Sequence, residues 1–284
     1  MAKTKYIELG REEFLPIIYE DRTVMAIDKP AYWMLVPFTW QRTNRNLQAA
    51  ITSSIAAGEY WAKSRNLKFL KFVHRLDADT TGVLLFAKTP AAVETISNLF
   101  ESRLMEKRYL AVVEGTPREK EWKCCLKLSP DPDQVGRVRV DEVNGKIAET
   151  HFTVLQSRNG RSLIEARPVT GRTHQIRVHL AETGSPIVGD PWYGEGLRIS
   201  QEFPLGLRAV FLSYRDPFTR QTVYIRAKPD AFLKAAGFGG FLEAEGQAGE
   251  KVKDSTGKIG GAKTPAVSPE KGPAKPAVPG KSDA

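Results

Sequence analysis

The sequence has two cysteines in 284 residues, Cys124 and Cys125, and they are adjacent. Neighbouring residues of a strand point to opposite faces, so this pair offers neither a disulfide framework nor a thiolate metal cage, which suits a reducing compartment. No stretch reaches the ~20 consecutive apolar residues that cross a bilayer. The opening MAKTKYIELGREEF lacks the apolar core of a signal peptide. The expectation is therefore a protein of the cytoplasm, with no membrane partner. Histidine is scarce too, with four in the chain. His174 and His179 are five apart, on different faces of a helix, with no acid or Cys at ligand spacing, so a zinc site is discounted. His151 has no partner signature and reads as a strand residue.

What is abundant is positive charge: the formal net charge is +9. From Phe241 onward seven Lys face six acids, so the tail nets +1 and the remaining +8 belongs to the body. Fixed cations favour an anionic partner, because neutralising phosphates releases counterions. Composition alone does not separate RNA from DNA or a membrane surface.

From about Gly239 the chain turns to Lys, Pro, Ala, Gly and Ser (KTPAVSPEKGPAKPAVPGKSDA), which buries too little apolar surface to offset its conformational entropy. Residues 239–284 are expected to be a disordered, solvated tail, a role in gripping RNA being the alternative. Upstream, IIYEDRTVMAID reads as two strands about a turn at Glu20–Arg22. Leu47–Ala62 has helical spacing, interrupted by Gly58. Phe69–His74 and Val83–Ala87 read as strands flanking the loop RLDADTTG. Thr89-Pro90 caps a helix running on through Leu104. Strands are expected at Tyr109–Val113, Lys123–Leu128, Val135–Val140, Ala148–Leu155 and Ser162–Pro168, a helix at His174–Thr183, and a hairpin from Ala209–Tyr214 and Thr222–Ala227. The fold class is α+β: a single catalytic domain over 15–238, with a central mixed, largely antiparallel sheet flanked by helices, after a short extension over 1–14.

Two polar segments stand out. HRLDADTTG (His74–Gly82) is a loop between apolar strands, where reactive groups are commonly displayed. On loop chemistry alone, Asp77 and Asp79 are better explained as turn residues than as reactive groups. RPVTGRTHQIRVHL (Arg167–Leu180) gathers three Arg and two His about a strand-to-helix junction, chemistry suited to phosphates or carboxylates.

Together and in this order, VHRLDADTTGVLLFAKT and RPVTGRTHQIRVHLAETGSPIVGDPWYG resemble the paired motifs of the RluA-type pseudouridine synthases. IIYEDRTVMAIDKPAYWMLVP resembles that family's opening motif and EKRYLAVVEG its tyrosine motif, so the resemblance runs from about Leu15 to Asp230. It implies a cofactor-free isomerisation of uridine to pseudouridine in structured rRNA or tRNA. Asp77 is then the nucleophile, Tyr109 the aromatic partner of the base and Arg177 the guanidinium that orients the aspartate. The first step is attack at carbon 6, attack at carbon 1-prime, or loss of uracil to a glycal, and the residues do not choose. Leu207 would help wall the pocket.

A uridine within a stem must leave its stack to reach the aspartate. Arg75 would then fill the vacated space or hold the backbone, its alternative being an ion pair with Asp79. Arg172, His174, Lys107, Arg108 and Arg103 are candidate RNA contacts. Three departures are visible. Ala31-Tyr32-Trp33 follows Lys29-Pro30 where the family has a small residue and glycine. Arg208 stands where relatives often have His. Only about 14 residues precede the first motif, so an additional N-terminal RNA-binding domain is not expected. The chain is expected to act as a monomer without metal. The rival readings are a catalytically silent RNA-binding or ribosome-assembly scaffold and a hydrolase binding a divalent metal through Asp77 and Asp79.

Overall fold

Apolar residues run continuously through Val83–Ala87 and alternate with polar ones in the outer strands, and the outcome is a sheet buried on both faces at its centre and on one face towards its edges. The computed structural model describes residues 3–9, 13–35, 45–194, 196 and 199–241. Among these, twelve strands form one sheet. They are β1 (Tyr6–Glu8), β2 (Phe14–Glu20), β3 (Val24–Lys29), β4 (Lys71–Phe72), β5 (Thr81–Ala87), β6 (Glu106–Glu114), β7 (Glu121–Pro130), β8 (Val138–Val140), β9 (Lys146–Arg158), β10 (Arg161–Pro168), β11 (Leu207–Arg215) and β12 (Thr222–Arg226). The main order is β1-β2-β3-β5-β11-β6-β10-β9-β7-β8, with β12 beside β11 and β4 beside β5. Every strand pairing is antiparallel except β5 with β11. The mixed α+β class read from the sequence holds. Residues 242–284, nearly all of the expected tail, lie outside the described residues.

The parallel contact is short, Thr81 opposite Arg208 and Gly82 opposite Ala209. Gly82 has φ +108°, and a Cβ there would sit 2.0 Å from the Ala209 carbonyl oxygen. Only glycine tolerates both the dihedral and the approach, which is a physical reason for the Gly that closes HRLDADTTG.

Among the described residues there are five helices, α1 (Leu47–Ala57), α2 (Tyr60–Lys63), α3 (Pro90–Glu101), α4 (Gln175–Glu182) and α5 (Asp230–Ala235). Asn46 and Thr89 cap α1 and α3 by accepting from the amides of Ala49 and Ala92. Gly58 ends α1 in the left-handed conformation, splitting what the spacing suggested was one helix. α3 stops earlier than expected: Arg103 takes φ +58°, and Leu104 lies beyond the helix, 63% exposed. β4 keeps two residues of the expected Phe69–His74 strand.

Alternation along β6 sorts the core. Tyr109, Ala111 and Val113 face α4, packing with Ile164, Ala166, Ile176 and Leu180. Leu110 and Val112 face the other way, with Leu163, Phe232 and Leu233 of α5. Two elements were not foreseen. β1, inside the supposed extension, pairs with β2, and α5 seals the back of the sheet, where Phe241 also packs.

Candidate active site

The loop after β4 and the start of α4 meet over the α4 face of the sheet and enclose a cavity of about 520 Å³, a size suited to a nucleoside. Asp77, Tyr109, Arg177, Arg75, Arg172, His174, Lys107 and Leu207 all line it. Arg103 does too, but Arg108 does not. Strand alternation turns Arg108 to the opposite face, where it donates to Glu106 at 2.8 Å and lies over the Phe211 ring. Lys107, pointing inward, donates to the Thr170 carbonyl at 3.0 Å, and burial pushes its ammonium down to about 8.

Arg177 comes from α4 and reaches Asp77, 100 residues away, through Nη1 at 3.3 Å to Oδ2. Its stronger pairing is with Asp190: Nε at 2.7 Å and Nη2 at 2.8 Å form a two-bond fork onto that carboxylate. Asp190 is fully buried and also accepts from the amides of Trp192 and Tyr193. Burial works against the charge on Arg177, and the hydrogen bonds and charges of Asp190 and Asp77 more than offset it, raising the guanidinium above its usual range. Asp77 itself keeps 18% of its side chain exposed, the only exposed member of this trio.

Tyr109 is half-buried on β6, opposite Ala209. Burial, and then the Asp77 carboxylate, hold its phenol above its usual value, so it stays a neutral donor with a flat ring. His174 precedes α4 with φ +52° and places Nε2 3.8 Å from Asp77 Oδ2. Burial pushes its ring down to about 4, so it is neutral near pH 7. Gln175 sets the loop before α4, accepting from Thr170 Oγ1 and the Arg172 amide and donating to Glu149 O and Thr150 Oγ1. Arg172 donates to the Ile147 carbonyl and is exposed at the rim, as is Arg75.

The loop carrying Asp77 is held from below by Lys29. Fully buried, its ammonium donates to the carbonyls of Pro30, Ala78 and Thr80 at 2.9, 2.7 and 3.0 Å. Three acceptors match the three N–H groups of an ammonium. Burial lowers its pKa to about 7, against the pull of Asp79 and Asp77. His74, the first residue of the motif, stacks on Phe100 and accepts from the Leu85 amide through Nε2, so it is a framework residue. Arg208 is buried on the back of the sheet, donating to Asp28 at 2.6 Å and to the Lys228 carbonyl at 2.8 Å. After Lys29-Pro30, Tyr32 adopts φ +66°, a left-handed turn made without glycine, the residue that adopts it freely.

Asp190, Lys29, Gln175 and Tyr193 were not singled out from the sequence. All four lie inside the quoted motifs; Lys29 and Asp190 carried the signal of a charge among largely apolar neighbours, and Gln175 and Tyr193 carried none.

The family of RNA pseudouridylate synthases matches residues 23–182. An uncharacterised RNA pseudouridine synthase of Zymomonas mobilis is 39% identical over 63% of this chain and 78% of its own. The ribosomal large subunit pseudouridine synthase C of Vibrio parahaemolyticus is 35% identical over 69% of this chain, and the match spans 58% of that protein's length. The structure of human RNA pseudouridylate synthase domain containing 1 superposes with a TM-score of 0.61 at 26% identity, covering 79% of this chain and 87% of the human one. With the family match extending over more than half of the sequence and the RluA-type motifs gathered around one cavity, the chain belongs to the RNA pseudouridylate synthase family, RluA type.

Proposed function

We propose that this protein isomerises uridine to pseudouridine within structured RNA, with Asp77 as the nucleophile. The observation that carries the reading is Asp77 itself: a partly exposed carboxylate in a nucleoside-sized cavity, held through Oδ2 by Arg177. The contacts from Arg177 and His174 both fall on Oδ2, which leaves Oδ1 as the attacking oxygen. A carboxylate fixed in one orientation loses little entropy on reaching the transition state. Tyr109 offers a flat ring against which the uracil stacks and a hydroxyl for proton transfer at carbon 5. Leu207, buried beside it, helps keep the detached base from escaping.

The target uridine has to be flipped out to enter the cavity. Arg75 at the rim is placed to fill its space, and Arg172, Lys107 and Arg103 to meet the neighbouring phosphates. Relatives named for the ribosomal large subunit favour rRNA over tRNA as the substrate. No cofactor enters the chemistry, because the atoms removed from the ribose are the atoms returned. The reading extends to a monomer acting in the cytoplasm.

The test is Asp77→Asn, assayed by pseudouridine mapping on rRNA and by filter binding. Pseudouridine should disappear while RNA affinity persists, and activity should be unaffected by EDTA. An active Asp77→Asn protein would refute the nucleophile; loss of activity in EDTA would favour the metal-dependent rival.

A further inference from the structure

We propose that Tyr193 is a positioning residue for this reaction: its hydroxyl, anchored on the Val138 backbone, orients His174 so that an Nε2–H faces the Asp77 carboxylate. The inference rests on the function proposed above and extends it to groups outside the Asp77, Tyr109 and Arg177 set.

The first observation is backbone strain. His174 holds φ +52° just before α4 and makes no side-chain capping bond there. The left-handed region costs a residue with a Cβ about 1–2 kcal/mol, and such residues gather where a side chain has to be aimed. The ring is aimed by two aromatic edges, Trp192 at 5.0 Å and Tyr193 at 5.7 Å between centroids.

The second is a proton count. Tyr193 Oη lies 2.8 Å from the Val138 amide, 3.0 Å from the Val138 carbonyl and 3.0 Å from His174 Nδ1. The amide can only donate. The single hydroxyl proton therefore goes either to the Val138 carbonyl or to Nδ1. In the first case Nδ1 carries the ring proton and Nε2 turns a lone pair towards Asp77 Oδ2 at 3.8 Å, which is repulsive. In the second case Nε2 carries the proton and points a donor at the carboxylate. Electrostatics selects the second.

The charged groups acting on the ring are Asp77 from its loop, Arg177 on α4, Asp190 and Arg75. Burial outweighs the two carboxylates, so near pH 7 the ring is neutral and one tautomer has to be chosen. At 3.8 Å the Nε2 contact is longer than a hydrogen bond and closes with a small movement when substrate enters, as such contacts commonly do. Arg177 and His174 then grip Oδ2 from two directions. Tyr193, accepting from the Val138 amide, also fastens β8 to the site, so the β7–β8 hairpin shares in this alignment.

Two measurements decide the matter. In ¹⁵N-histidine spectra of the wild-type protein at pH 7, His174 should show a protonated Nε2 and an unprotonated Nδ1; the reverse tautomer overturns the proposal and needs no variant. Tyr193→Phe keeps the ring and removes the hydroxyl. It should lower kcat about 10- to 100-fold while KM for RNA stays within about two-fold, and should let the two His174 tautomers mix. Unchanged kcat and an unchanged tautomer in folded Tyr193→Phe refute it. An inactive Asp77→Asn beside a fully active Tyr193→Phe rejects this inference alone; an active Asp77→Asn rejects the nucleophile reading, and the spectra still report on His174.

Discussion

Arg177 spends two of its three nitrogens on a buried carboxylate and one on the carboxylate that faces the cavity. That division suggests a brace in which Asp190 fixes the guanidinium and the guanidinium fixes Asp77. Asp190→Asn keeps the shape and removes the charge, leaving a buried cation short of its partner. It is expected to cost about 3 kcal/mol of stability and to lower kcat more than it raises KM, measured by urea unfolding and steady-state kinetics. Tyr32 carries a smaller local cost. Replacing it with glycine releases the left-handed strain but adds freedom to the unfolded chain, so Tyr32→Gly should stabilise by about 0.5–1 kcal/mol in the same unfolding assay. At this scale the sequence was informative about which residues reach the cavity, because motif order identifies them. It was silent on Asp190 and Tyr193, since they are brought to Arg177 and His174 by the path of the loop after α4, which no periodicity encodes. Arg108 shows the reverse case. As one of a pair of neighbouring cations it looked equivalent to Lys107, and strand alternation separated them.

At the scale of elements, strand and helix positions were largely legible, because alternation and capping are local signals. Ends set by tertiary contact were not. β4 is short because its neighbours Val73 and His74 are already turning into the loop that carries Asp77, and α5 lay beyond the last motif considered. One element junction can be tested directly. Glu20, at the end of β2, receives Arg65 at 2.9 Å and Lys88 at 2.6 Å, joining β2 to the segment after α2 and to the end of β5. Burial raises its pKa, and the hydrogen bonds from Lys88 and Arg65 outweigh that, leaving it lower than an ordinary glutamate. A depressed carboxylate contributes stability above its unfolded value, which is lost as the pH falls through the folded one. Glu20→Gln should therefore be less stable than wild type near pH 7, and the two melting temperatures should converge below about pH 4.

For the molecule as a whole, fold class and anionic partner were both readable, the first from many short strands and the second from a body charge of +8 beside a nearly neutral tail. What composition could not convey is that part of this charge is already committed: Arg65, Lys88, Arg177 and Arg208 are tied into buried ion pairs. Arg172 and Arg103, exposed at the cavity rim, lie outside these four pairs. Arg172→Ala should weaken RNA binding and reduce the slope of log K against log salt by about one, checked by titrations across a range of salt concentrations; an unchanged slope would remove Arg172 from the phosphate contacts.

The close approach of Gly82 to Ala209 has a further bearing, on the order in which the chain becomes competent. β5 is made before β11 and has no parallel neighbour until that strand emerges more than a hundred residues later, and the Asp77 loop ends at that same contact. Closing so long a loop is a slow step in folding. During translation the aspartate thus exists well before the cavity does. A ribosome-bound chain halted before β11 would hold every residue of the Asp77, Tyr109 and Arg177 set and still lack the wall against which they are aligned.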